Sequence, residues 1–221
     1  MKFLKLKKVP VVPWSSPQPL NLRPRLSTLF YLSVGLSVFG LGEAALVAAS
    51  AGVSPWTVLA QGVGRVADVN LGLATLLVSV CVLLLWIPLK QIPGIGTVAN
   101  ALIVSLVIEQ SLRILPQPEA ISFQLAQAIA GVLLVGLGSG IYLVANLGPG
   151  PRDGLMTGLA SRTDFPIAGV RTTLEIAAVA VGWSLGGTIG LGTVLFAFGI
   201  GPAVSLGLYA VGLIFAGADA D

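Results

Sequence analysis

Six apolar stretches, each long enough to cross a bilayer, run through this chain at about 26–50, 69–89, 94–115, 122–146, 167–186 and 191–217. A helix needs roughly 20 such residues to span the hydrocarbon core. Only 10% of the 221 residues are charged and 55% are hydrophobic, with a mean hydropathy of +0.95. A soluble domain carries about 25% charged residues, so this chain cannot cover a water-facing surface. In lipid every backbone polar group must be satisfied within the protein, which favours helices. The expectation is an all-α integral membrane protein with six transmembrane helices. The run Val47-Ala48-Ala49-Ser50-Ala51 looks like a signal-peptidase site. The apolar stretch before it is much longer than the about 7–15 residues of a signal peptide, so a retained helix is expected.

Two shorter pieces interrupt the series, Pro55–Val66 and Pro151–Arg162. Each reads as a helix of a few turns, too short to cross. A small residue precedes proline in both, Ser54-Pro55 and Gly150-Pro151. That order suits a helix start, because proline at the first helical position lacks an N–H that would be unpaired anyway. Asp68 and Asp164, which follow the short helices, are expected to cap the helices after them.

The chain also matches itself without a gap at a constant offset of 96 residues. Gly40-Leu41-Gly42 falls on Gly136-Leu137-Gly138, Gly52 and Pro55 on Gly148 and Pro151, Gly62 on Gly158, and Asp68 on Asp164. Gly94, Gly96, Thr97 and Val98 fall on Gly190, Gly192, Thr193 and Val194. This reads as an internal repeat: residues 1–25 form a basic, proline-rich tail, 26–116 a first membrane repeat and 117–221 a second. Three spans per repeat is an odd number, so the second enters the membrane from the opposite side, as inverted-topology repeats do. With a cytoplasmic N-terminus, ten basic residues lie inside (Lys2, Lys5, Lys7, Lys8, Arg23, Arg25, Lys90, Arg152, Arg162, Arg171) and only Arg65 and Arg113 outside. That asymmetry agrees with the positive-inside rule and places both termini in the cytoplasm.

Function classes narrow by what the chain lacks. It has no histidine and a single cysteine, Cys81, inside an apolar run. The commonest acid/base and metal ligand is therefore absent. No catalytic residue, metal or cofactor is expected, and the acidic residues show no spacing for carboxylate chemistry, so an enzyme is not expected. The pI near 9.3 reflects basic residues at membrane edges; with no basic patch interleaved with aromatics, no nucleic-acid partner is expected.

Candidate site residues are polar groups where lipid would exclude them. Glu43 lies near the middle of the first stretch. A carboxylate there costs about 2.5–3.5 kcal/mol on insertion scales unless it faces protein or water, or is protonated. Arg171 and Glu175, like Glu109 and Arg113, stand four apart and share a helix face; a self-neutralised pair is the simpler reading of both. Asn146, Arg152 and Asp153 flank the start of the second short helix, whose N-terminus offers free N–H groups and partial positive charge. One reading makes the short helices half-helices lining a cavity that holds a polar or anionic ligand. The plainer one makes them connectors on the surface. Gly136/Gly140 and Gly154/Gly158 have the spacing of close helix packing.

The run Asn146–Gly158 (Asn-Leu-Gly-Pro-Gly-Pro-Arg-Asp-Gly-Leu-Met-Thr-Gly), with Pro166–Thr172 and Gly190–Thr193, resembles the bacterial YczE/YyaS/YitT family of integral membrane proteins. The resemblance covers most of 30–215 and implies a multi-pass protein of the bacterial inner membrane. It brings no established catalytic residues. The first repeat departs from the motif, reading Ser50-Ala51-Gly52-Val53-Ser54-Pro55-Trp56-Thr57, so any ligand at Arg152 and Asp153 would be bound asymmetrically. The leading expectation is a permease for a small polar solute, with Glu43, Asn146, Arg152, Asp153, Arg171 and Glu175 as its site. The alternative is a non-transporting accessory or scaffold protein that binds a second copy or another membrane protein through its glycine-rich faces and tail.

Overall fold

In the computed structural model the described residues are 9–215. The lysines at 2, 5, 7 and 8 and the C-terminal Asp219 and Asp221 lie outside them. Among the described residues the chain forms eight helices and no strand: α1 (Leu26–Ala48), α2 (Pro55–Ala67), α3 (Leu71–Leu89), α4 (Ile95–Leu112), α5 (Ile121–Val144), α6 (Pro151–Thr163), α7 (Ile167–Ser184) and α8 (Leu191–Phe215). Five are long and apolar enough to cross a membrane, namely α1, α3, α4, α5 and α8. The segment of α7, expected from the sequence as a sixth span, is not among these five. Its 18 residues include Arg171, Thr172, Thr173 and Glu175, which dilute its apolar character.

Local chemistry sets the ends of the short helices. Pro55 and Pro151 occupy the first turns of α2 and α6. Each of these helices stops on an aspartate in the left-handed conformation, Asp68 at φ 53° and Asp164 at φ 57°. The aspartates therefore end the short helices and do not start the next ones. Asn70 does that work for α3, its Oδ1 accepting the Leu73 N–H at 2.8 Å. An Asx side chain competes well for a first-turn N–H, and the residue nearest the turn takes the role.

α5 is the central helix, with α1 on one side and α8 on the other; α4 packs on α1, α2 on α7, and α6 on α3. Close approach depends on missing side chains. A Cβ on Gly136 would land on Ala203, and one on Gly140 on Gly207, so this GxxxG pair seats α5 against α8 within the chain. In lipid, where burial from water drives little association, such contact is a main source of helix cohesion. The outer surfaces are apolar: Val98, Leu102 and Leu106 on α4 and Ile129, Leu133 and Leu137 on α5 point outward at one-turn spacing.

Two loops are exchanged between the halves. The Gly96 N–H at the start of α4 donates to the Leu147 carbonyl, and the Gly192 N–H at the start of α8 donates to the Ala51 carbonyl, both at 2.7 Å. Gly52 and Gly148, in these loops, both adopt φ +106°, a conformation that strains any residue with a Cβ.

Residues 9–25 form no helix and lie on the bundle. Trp14 is buried, stacks on Tyr31 at 4.5 Å and meets the edge of Phe215 at 5.7 Å. Its carbonyl accepts from the Thr28 hydroxyl at 2.6 Å. The Ser16 N–H donates to the Ala145 carbonyl at 3.0 Å.

Candidate functional site

Glu43 sits in the second half of α1 with only 1% of its surface exposed. The first turn of α2 comes to meet it. The hydroxyls of Ser54, the N-cap, and of Thr57, three residues on, each lie 2.8 Å from Oε2. They are 3.0 Å from one another. The other carboxylate oxygen, Oε1, is buried and has no hydrogen-bond partner. Facing it at 3.7 Å is Nη2 of Arg152, the second residue of α6. The guanidinium also lies 5.1 Å from the centre of the Phe39 ring, within range of a cation–π contact. Next along α6, Asp153 accepts a hydrogen bond at Oδ2 from the Tyr142 hydroxyl at 2.8 Å.

The N-terminal turns of both short helices therefore face one another across Glu43 and Arg152. On either side of this pair is a chamber. One, of about 40 Å³, has Glu43, Thr57, Ala60, Thr75, Ser79, Asn100, Val104 and Ile108 in its wall. The other, of about 170 Å³, has Ser139, Asp153, Met156, Arg171, Glu175, Phe196, Ile200 and Val204 in its wall. These eight residues of the second wall stand 96 positions after these eight of the first, in the same order, whereas Val78 and Val82 of the first chamber and Phe39, Val135, Tyr142 and Leu143 of the second have no such counterpart across the pair. Trp56 and Arg152, themselves 96 apart, line both chambers, as does Asn100.

The matched walls differ in charge. Where the first chamber has Glu43, the second has Ser139, whose hydroxyl donates to the Val135 carbonyl at 2.7 Å. Where the first has Thr75 and Ser79, the second has Arg171 and Glu175, joined at 2.8 Å. The pair Glu109 and Arg113, 3.6 Å apart, lines neither chamber. Glu109 instead accepts the Gly72 N–H at 3.3 Å.

Five of the six residues singled out in the sequence line one chamber or the other: Glu43, Arg152, Asp153, Arg171 and Glu175. Asn146 does not; its side-chain amide donates to the Ser16 carbonyl at 2.8 Å and ties down the N-terminal segment. Sequence reasoning missed Ser54 and Thr57 as partners of Glu43, Tyr142 as the partner of Asp153, and Asn100. It also missed Trp86, whose Nε1 donates to the Pro151 carbonyl at 2.9 Å and pins the start of α6. A Cβ on Gly154 would strike the Trp86 indole, which gives that glycine its reason.

Comparison with known proteins adds kinship. The model of a family of unknown function (DUF6198) matches residues 26–208. The chain is 40% identical to an uncharacterized protein of Haemophilus influenzae over 199 residues, 90% of this chain and 91% of the relative. It is 28% identical to the uncharacterized membrane protein YczE of Bacillus subtilis over 170 residues, 76% of this chain and 79% of that one. No solved structure matches.

Proposed function

This chain belongs to the YczE-type family of unknown function (DUF6198), a family of multi-pass membrane proteins, and on that premise we propose that it is a permease for a small polar solute. The observation that carries the reading is the pair of chambers, walled by residues 96 positions apart and meeting at Glu43 and Arg152. Secondary transporters built from inverted repeats place their sites in this way, between half-helices at the repeat interface. In this reading α7 is the sixth span. Its charged pair is joined in an ion pair and lines a chamber, which offsets its modest hydropathy. The repeats are inverted, with three spans each, and the membrane is the bacterial inner membrane with both termini in the cytoplasm, as the asymmetry of basic residues supports. Some of the features behind the accessory reading are engaged inside the chain, namely Gly136 and Gly140 against α8, Gly154 against Trp86, and residues 9–25 against the bundle, whereas Gly169 and Gly201 face open space.

Reconstituted vesicles test this. Purified protein should admit one or more labelled small polar solutes, and Arg152→Ala should abolish that flux. Flux unchanged in both Arg152→Ala and Glu43→Gln, or no flux for any solute across a broad panel, sinks the proposal. A phosphatase fused within 116–120 should be active outside the cell, and one fused within 90–93 inactive; the reverse pattern overturns the orientation.

A further inference from the structure

We infer that the site takes a small oxyanion, of the carboxylate type, on Arg152, and that one proton accompanies it onto Glu43. The inference rests on the permease reading only in assuming that the chambers admit solute.

The first argument is donor geometry. A guanidinium presents a planar fork of five N–H donors that matches an oxyanion with two contacts. Arg152 directs this fork between the chambers, and its nearest carboxylate oxygen, Oε1 of Glu43, is 3.7 Å away. That distance is an ion pair without a hydrogen bond. Glu43 therefore neutralises Arg152 without occupying its donors, and Oε1 is itself buried and unpartnered. A cation lacking a good partner faces an anion lacking one, and each is open to something better.

The second argument is charge. Among the described residues, the charged groups lining the chambers are Glu43, Arg152, Asp153, Arg171 and Glu175. Arg171 and Glu175 satisfy each other at 2.8 Å. The elements packed around Glu43 bring only neutral polar groups besides Arg152: Ser54 and Thr57 from α2, Thr75 and Ser79 from α3, and Asn100 from α4. What remains is one cation between two carboxylates. An anion arriving alone would add a second uncompensated negative charge in a medium of low dielectric, which is strongly unfavourable. An anion arriving with a proton leaves the charge of the site unchanged.

The third argument locates the proton. Asp153 sits in the first turn of α6, where the helix end favours a negative charge, and holds the Tyr142 hydroxyl on Oδ2. On Glu43 the two hydroxyls occupy Oε2 only. A proton taken from water by Oε1 leaves those contacts intact, because a hydroxyl donates to a neutral carboxyl as well as to a carboxylate. It also frees Arg152 for the incoming oxyanion. The released pair re-forms when both leave, so anion and proton travel together.

Trp56 lines both chambers and provides the readout. Formate and nitrate, which stay singly charged across the working range, are titrated into the protein in maltoside detergent while tryptophan fluorescence is followed, with Trp56→Phe as the control that removes the signal. Wild type should bind about tenfold more tightly for each unit fall in pH, the slope of one linked proton. Glu43→Gln, already neutral there, should bind at the acid-limit affinity with no slope, and Arg152→Gln should not bind. In the infrared, formate should raise a carboxylic-acid C=O band that Glu43→Gln lacks. A wild type without slope, a slope that survives in Glu43→Gln, a well-folded Glu43→Gln that has lost binding, preference for a cation such as guanidinium, or no binding of either anion each overturns the inference. Added phosphatidylglycerol tests the source: formate that persists is bound as a small free oxyanion, and displacement by the phosphodiester headgroup overturns that assignment. Linked binding without vesicle flux removes the permease reading alone, whereas flux without a pH slope removes the linkage alone.

Discussion

Nη2 of Arg152 stands 3.7 Å from Oε1 of Glu43, and the other oxygen of that carboxylate lies 2.8 Å from each of two hydroxyls. The contact joins α6 to α1 where the two chambers meet. Because Glu43 is buried and the Arg152 side chain is about a quarter exposed, the loss of either partner is unequal. Glu43→Ala strands two hydroxyls and a guanidinium and should destabilise by about 1–3 kcal/mol. Glu43→Gln keeps the shape and an acceptor and should cost less. Thermal denaturation in detergent, followed by size exclusion, should give that order; equal losses would mean that the hydroxyl contacts contribute nothing.

Trp86 and Gly154 should behave as one unit. Gly154→Ala puts a methyl group into the indole and should cost about 1–3 kcal/mol by overpacking. Trp86→Phe removes the ring atoms in the way, at the cost of the hydrogen bond to Pro151, about 1 kcal/mol. The double variant should be more stable than the sum of the two predicts, and additivity in a double-mutant cycle would refute the contact.

Gly96 and Gly192 make matching approaches to the loops of the opposite halves. A Cβ at Gly96 would press on the Leu147 carbonyl, and one at Gly192 on the Gly52 carbonyl. Alanine at either position should lower thermal stability by about 1–3 kcal/mol, with the larger loss at Gly192, where the approach is closer. A tolerated Gly192→Ala beside a damaging Gly96→Ala would break the equivalence of the two junctions.

The segment before α1 should detach as a piece. Trp14→Ala removes the stack on Tyr31 and the edge contact to Phe215. Limited trypsin digestion should then cut after Arg25 much faster than in wild type while the helical core stays intact. Cleavage at the wild-type rate would show that backbone contacts such as Ser16 to Ala145 hold the segment alone.

Cys81 is exposed on α3, beside Leu77 and Leu85 in an apolar groove. A charged thiosulfonate reagent should leave it untouched, since the charged reagent is excluded from hydrocarbon. In a Cys81→Ala background, Thr75→Cys, which lines the Glu43 chamber, should react. Protection of Thr75→Cys would mean that the chamber is dry.

Much of this was legible because backbone demands leave local marks. Ser54-Pro55 and Gly150-Pro151 mark helix starts whatever surrounds them. The Gly-x-Gly-Thr at 94–97 recurs at 190–193 because each copy lies under a carbonyl of the opposite loop, with Thr97 and Thr193 accepting the N–H groups of Gly94 and Gly190 at 3.2 and 3.3 Å. Arg171 and Glu175 were paired correctly because one helix face fixes their distance. Nothing local marks Thr57 as a partner of Glu43, Tyr142 of Asp153, or Trp86 of Pro151. Those partnerships exist only once helices distant in sequence have packed. The same holds for Asn146: its place beside Arg152 in the chain says nothing of Ser16, which it holds.

The exchanged loops bear on how the protein is made. The Ala51 carbonyl is synthesised well before its donor, the Gly192 N–H, which lies at the start of α8. In hydrocarbon a polar group left waiting is costly. The first three long helices can enter the bilayer as they leave the ribosome, but the junction after α1 stays incomplete until α8 arrives. A nascent chain halted after α4 holds the Ala51 carbonyl but not the N–H that closes it, so this junction waits on a helix made more than a hundred residues later.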